Sequence, residues 1–195
     1  MRRALLVLCL LLAGCSFGGD DGGSVEPGEL SGLVLQPDDL PREFQRFDEG
    51  RQAIADNPGG SRADPQRFGR QGGWKARYRR VGDARAAGPL VVESRADLFD
   101  SSGGADEDLA AARRDLEEAS LDWQPIDEPG LGDESFAATL VQSGGTRGVR
   151  YYLVFWRQAN VTASLSVNGF EGRLALSDAL ELARKQERRI ASAAS

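Results

Sequence analysis

The chain has 195 residues, of which 30 are acidic and 24 basic, giving a formal charge of −6, and it contains no histidine. Its two cysteines both lie in the first fifteen residues. These counts exclude Ser-His-Asp and Cys-His triads, histidine proton shuttles and histidine-ligated zinc. The net negative charge argues against nucleic acid, whose binding draws on a positive field that releases counterions from phosphates. Only Lys75 and Lys185 are lysines among the basic residues, and Ala and Gly are abundant. That bias fits a GC-rich genome, so arginine content by itself carries little functional meaning.

Met1-Arg2-Arg3 is a short positive region, and residues 4–13 form an unbroken apolar run. Ten residues are too few to span a bilayer, which takes roughly 20 in a helix, but they suit the hydrophobic region of a secretory signal. The run ends in Leu12-Ala13-Gly14-Cys15, which resembles the lipobox of bacterial lipoproteins. The residues around Arg2-Arg3 do not match a twin-arginine signal. The lipobox resemblance implies that the small Ala13 and Gly14 admit the lipoprotein signal peptidase and that Cys15 takes a diacylglycerol. Cleavage before Cys15 removes two arginines and leaves 22 basic against 30 acidic residues, a charge of −8. Cys9 departs with the signal and Cys15 is consumed by lipid. The exported chain then has neither a free thiol nor an intrachain disulfide, although its compartment permits one. The expected location is the extracytoplasmic face of the cell membrane, held by acyl chains that each contribute about 0.8 kcal/mol per buried CH2.

Residues 16–29 hold five glycines and four acids with little that is apolar, so residues 15–30 read as a lipidated cysteine followed by a flexible tether. Residues 31–195 read as one globular domain. Leu33, Val34 and Leu35 form a short apolar run, and residues 36–41 suggest a helical turn bracketed by Pro37 and Pro41. Residues 44–73 read as a long excursion, with a short helix around 51–56 and a turn at Asn57-Pro58-Gly59-Gly60. Excursions of that length are often functional.

Trp74, Ala76 and Tyr78 alternate with Lys75, Arg77 and Arg79, the period of a half-buried strand. A second strand alternates Leu90, Val92, Ala96 and Leu98 with Glu93, Arg95 and Asp97, and ends at Gly103-Gly104. Leu109, Ala112, Leu116 and Ala119 fall at helical spacing behind three acids that favour the positive end of a helix dipole. The last third reads as a three-stranded meander over 135–142, 149–157 and 161–167. Its middle strand is apolar on both sides and therefore central. A final helix over 174–191 carries Leu176, Ala179, Leu180, Ala183 and Ile190 on one side. Short turns between consecutive strands imply antiparallel pairing. The expected fold is α+β, a mainly antiparallel sheet of about five strands with two amphipathic helices packed on one face.

Residues 123–135, the aromatic strand ending at Arg157, Asn160-Val161, and Ala183-Arg184-Lys185-Gln186 together resemble a pattern of exported actinobacterial lipoproteins. The pattern spans roughly residues 120–190. It is similar to the extracytoplasmic sensor domains of mycobacterial receptor kinases and to PsbP-like lipoproteins, although the disulfide cysteines of the kinase sensors are missing. The resemblance implies binding or sensing of an envelope ligand, and it supplies no site residues.

Residues 67–80 hold six cations and no acid: Arg67, Arg70, Lys75, Arg77, Arg79 and Arg80. Interleaved with Phe68, Trp74 and Tyr78, they could form a patch for anionic headgroups or wall polyanions. The alternative is a strand whose Arg77 and Arg79 pair with Glu93 and Asp97 on its neighbour. The acid pairs Asp38-Asp39, Asp127-Glu128 and Asp133-Glu134 could serve a carboxylate-only hydrolase only if two acids faced each other across a cleft. The leading expectation is a non-catalytic domain, anchored to the membrane through Cys15, that binds an envelope ligand or protein partner without cofactor or metal. The alternative is a lipid-handling lipoprotein with an apolar cavity between helices and sheet.

Overall fold

The computed structural model describes residues 23–52, 67–82, 87–127, 129–144 and 147–195. The signal sequence, Cys15, most of the expected tether and the turn at residues 57–60 lie outside them. One antiparallel sheet has seven strands, β1 (Phe44–Arg51), β2 (Arg70–Arg80), β3 (Val91–Phe99), β4 (Gln124–Ile126), β5 (Glu134–Gly144), β6 (Arg147–Gln158) and β7 (Val161–Phe170), in the order β1-β2-β3-β7-β6-β5-β4. Two helices, α1 (Ser102–Glu117) and α2 (Leu176–Ala193), complete the α+β fold. The sheet is larger than the five strands expected because the excursion contributes β1 and a three-residue edge strand, β4, precedes the meander.

Strand alternation assigns each side chain a face. Val92, Ser94, Ala96 and Leu98 of β3 lie opposite Val167, Leu165, Ala163 and Val161 of β7, which in turn meet Tyr152, Val154, Trp156 and Gln158 of β6. This face is covered by α2 and by the N-terminal segment, and its core holds Tyr78, Leu165, Trp156 and Ile190, all close to fully buried. Truncating one such aliphatic side chain to alanine removes about 2–5 kcal/mol. A polar bolt crosses the same core. The Leu35 N–H donates to Ser94 Oγ at 2.9 Å, Ser94 donates to Gln186 Oε1 at 2.8 Å, and Gln186 Nε2 donates to the Arg95 carbonyl at 2.8 Å. Gln186 is completely buried, so these bonds replace the water it has lost.

The helices do not share a face. The side chain of Thr162, opposite Asp97 on β7, points away from the Ser94–Gln186 bolt and donates to Asp108 Oδ2 of α1 at 2.7 Å. Ala105, Asp108 and Leu109 press α1 onto this second face, beside Phe99 and Phe136. Placing both helices on one face is therefore corrected. Because β6 is apolar on both sides, each face needs its own cover, and one helix serves each. The first turn of α1 tolerates Gly104 for a steric reason: a Cβ there would sit 2.1 Å from the carbonyl oxygen of Phe68.

The packed chain also begins earlier than expected. Val25 and Leu30 are buried, and a 3-10 helix runs over Pro27–Gly32, so the last residues of the stretch read as tether belong to the core. The excursion is a strand at its start, with a bulge between Arg46 and Asp48. The short helix read around 51–56 lies, beyond Gln52, outside the described residues.

Candidate binding groove

The basic run does not converge on one surface. Lys75, Arg77 and Arg79 share the α1 side of β2, whereas Trp74 and Arg80 lie on the α2 side, with Trp74 packed against the core. Lys75 Nζ is 3.1 Å from Asp48. Arg77 reaches Glu93 at 2.6 Å and Asp48 at 3.5 Å; the first is an ion pair not aligned as a hydrogen bond. Arg79 and Arg77 flank the ring of Phe47. Arg80 donates to the Pro89 carbonyl at 3.0 Å and lies 3.9 Å from Glu43. Arg67 stands over the ring of Phe68. Arg70 forms a buried pair with Asp97, through Nε at 2.7 Å and Nη2 at 2.6 Å. Of the two cross-strand pairs expected, Arg77–Glu93 forms. Asp97 is instead taken by Arg70, because Arg79 stands opposite Val91.

A concavity of different make-up lies elsewhere, on the α1 side of the sheet. The first half of α1 sits down on the strands, and residues of its second half line a groove of about 310 Å³. Ala112, Asp115 and Leu116 of α1, with Ala119 just past its end, form one wall; Leu153 and Phe155 of β6, Ser164 and Ser166 of β7, and Glu93 and Arg95 of β3 form the floor. The wall residues follow helical spacing. The floor residues follow strand spacing, because every second residue of three neighbouring strands faces the same way.

The floor is organised in stripes. Phe155 stands opposite Ser164 and Leu153 opposite Ser166, so an apolar strip on β6 runs beside a hydroxyl strip on β7. Phe155 stacks on Phe136 with centroids 4.7 Å apart and planes 12° apart, and Arg113 lies over the far side of Phe136 at 4.6 Å. This stack holds the Phe155 ring upright and turns its other face toward β7. On the β3 side, Glu93 pairs with both Arg77 and Arg95. Both Glu93 oxygens are thereby engaged by guanidinium groups. The hydroxyls of Ser164 and Ser166 make no hydrogen bond among the described residues.

None of the groove residues was singled out as a candidate site in the sequence. Their signals were present as the outward Ser164 and Ser166 of β7, the two-sided apolarity of β6 and the apolar stripe from Leu109 to Ala119, which α1 carries as far as Leu116. The expected lipid cavity would lie between helix and sheet. On the α2 side that space is occupied by Trp156, Tyr78, Leu165, Leu182 and Ile190. Among the described residues no cluster of three metal-ligating side chains occurs, and no helix is long and apolar enough to cross a membrane.

No protein-family model matches the chain, and no curated protein matches it in sequence. Among solved structures, it is similar to the extracellular domain of PknH from Mycobacterium tuberculosis, with a TM-score of 0.58 and 9% identity over 88% of this chain and 99% of that one. A protein from Bacteroides thetaiotaomicron aligns with a TM-score of 0.42 and 13% identity, covering 73% of this chain and 40% of that one. The likeness to the PknH domain is one of fold: this sheet and its two helices share their architecture with an extracellular domain of nearly the same extent.

Proposed function

We propose that the protein is a non-catalytic, extracytoplasmic binding domain tethered to the membrane through lipidated Cys15, and that its ligand occupies the groove between α1 and the sheet. The observation that carries this reading is the pairing, in one concavity, of the Ser164 and Ser166 hydroxyls, which make no hydrogen bond among the described residues, with the apolar Leu153 and Phe155. A concave, partly apolar site with a few convergent polar groups is the usual form of a small-molecule site. The lipobox-like Leu12-Ala13-Gly14-Cys15 and the fold shared with an extracellular domain support the compartment.

Two measurements test the two halves of the proposal. Cys15→Ala should move the protein from the membrane fraction to the soluble fraction; retention in the membrane would overturn the anchor. A photo-reactive side chain at position 166 should capture an envelope component in native membranes that the same group at Ser192, on α2, does not. Equal capture from both positions would remove the groove as the binding site.

A further inference from the structure

We infer that the groove selects an uncharged saccharide, with one pyranose ring seated on Phe155 and its hydroxyls read by Ser164, Ser166 and the Glu93–Arg95 pair. This rests on the groove being the binding site proposed above. Three observations converge on it, beginning with the stripes. Successive rows across β6 and β7 pair Phe155 with Ser164, Leu153 with Ser166 and Tyr151 with Asn168, all on one face and all half-buried. Rows recur about every 7 Å along a strand. A sugar ring has the complementary form, with C–H groups on its faces and hydroxyls around its rim. The negative face of an aromatic ring attracts the slightly positive C–H side, while serine hydroxyls and an asparagine amide can each donate and accept toward the rim.

The second observation is the Phe155 ring itself. Phe136 occupies one face of it, so the open face is fixed in direction. It opens beside Ser164, where a seated ring would meet the hydroxyl strip edge-on. Charge is the third. Glu93 and Asp115 line the groove with Arg95, and Arg77 pairs with Glu93 from behind, so an anion would face two carboxylates and a cation two guanidinium groups. A neutral polyol meets neither obstacle, and it can still hydrogen-bond to both charged partners. An acyl chain, by contrast, would leave the two serine hydroxyls without a partner in a site it had dried, which disfavours it.

The test uses the full-length protein in detergent, titrated with chitotetraose and maltotetraose as neutral probes and with a heparin tetrasaccharide as the anionic one. At least one neutral probe should bind saturably at or below about 10 mM, with the heparin fragment weaker. The Ser164→Val, Ser166→Val double variant keeps strand-favouring side chains and removes both hydroxyls. It should weaken binding by about tenfold or more with an unchanged Tm. Leu116→Trp, which fills the groove from the helix side, should abolish binding. The saccharide assignment is overturned if neither neutral probe binds, if the heparin fragment binds more tightly, or if the double serine variant binds equally well. Capture from positions 166 and 192 in native membranes separates this failure from that of the groove itself. Capture at 166 that exceeds capture at 192 and is lost in Leu116→Trp, without any sugar binding, would keep the groove and discard the saccharide. Equal capture from both positions, together with no sugar binding, would discard both.

Discussion

Asn160 clasps Val25 across 135 positions of chain: its Oδ1 accepts from the Val25 N–H at 2.8 Å, and its Nδ2 donates to the Val25 carbonyl at 3.2 Å. The same Nδ2 donates to the Phe99 carbonyl at 2.9 Å. One buried side chain thus pins the point where the chain enters the domain to the β6–β7 turn and to the end of β3. Asn160→Ala would strand three buried backbone groups, for a loss of about 2–4 kcal/mol. The expected result is a lower urea midpoint with an unchanged slope, and faster amide exchange over residues 25–35. A midpoint shift of less than a few tenths molar would mean that Val25 is held by its apolar contacts alone.

Tyr78 makes stability depend on alkaline pH. Its ring is buried on the α2 side, where its hydroxyl donates to the Leu35 carbonyl at 2.7 Å. Burial pushes the phenol up to about 12 from 10.0, with partial relief from Arg46. In the unfolded chain the phenol ionises near its ordinary value, so between about pH 10 and 12 the folded state holds the proton and the unfolded state has released it. Stability is therefore complete below pH 10 and falls as pH rises toward 12, by about 2–3 kcal/mol in all. Tyr78→Phe should be less stable at neutral pH, because Leu35 loses its donor, and should show a shallower decline over that interval. An equally steep decline in the variant would assign the alkaline loss to other groups.

Backbone strain at the β6–β7 turn can be relieved. Ala159 has a φ of 53°, a left-handed conformation in which a Cβ costs about 1–2 kcal/mol. Ala159→Gly removes that cost and adds some unfolded-state entropy, for a net gain of about 0.5–1 kcal/mol. Gly132 packs against the same end of the sheet with φ 55°, but a Cβ there would lie 2.2 Å from the Arg157 carbonyl oxygen. Thermal denaturation should therefore move in opposite directions, upward for Ala159→Gly and downward for Gly132→Ala. A fall in Tm for Ala159→Gly would show that the turn needs the stiffness of alanine more than it suffers from its conformation.

What was legible in the sequence followed from local periodicity. The meander, both helices and the central place of β6 could be read because alternation and helical spacing persist over ten or more residues there. β1 was hidden because its bulge at Arg46/Asp48 resets the alternation and exposes Phe47. β4 was hidden because three residues containing Pro125 carry no period at all. The faces taken by the helices could not be read, since an apolar stripe states that a helix packs but not on which side of a two-sided sheet. The groove was obscured for a related reason. Ala112, Leu116 and Ala119 read as core continuing from Leu109, yet the buried residues of α1 end at Ala111 and those beyond it line the groove. That change is a property of how α1 crosses the strands and has no local signature.

The bond from Thr162 Oγ1 to Asp108 Oδ2 bears directly on that crossing. Both side chains are buried and 2.7 Å apart, and they fix the first half of α1 above β7 while residues of the second half line the groove. Thr162→Val keeps the shape and the strand preference of the residue but removes one donor from a buried carboxylate, at a cost of about 1.5–3 kcal/mol. Amide exchange should then accelerate over Ser102–Glu117 more than over β6 and β7, and binding in the groove should weaken because its helical wall is less well held. Thr162→Ser, which retains the hydroxyl, should keep most of the protection of α1. Unchanged exchange in Thr162→Val would instead assign the position of α1 to the apolar contacts of Ala105 and Leu109, and the groove would then keep its shape without the bond.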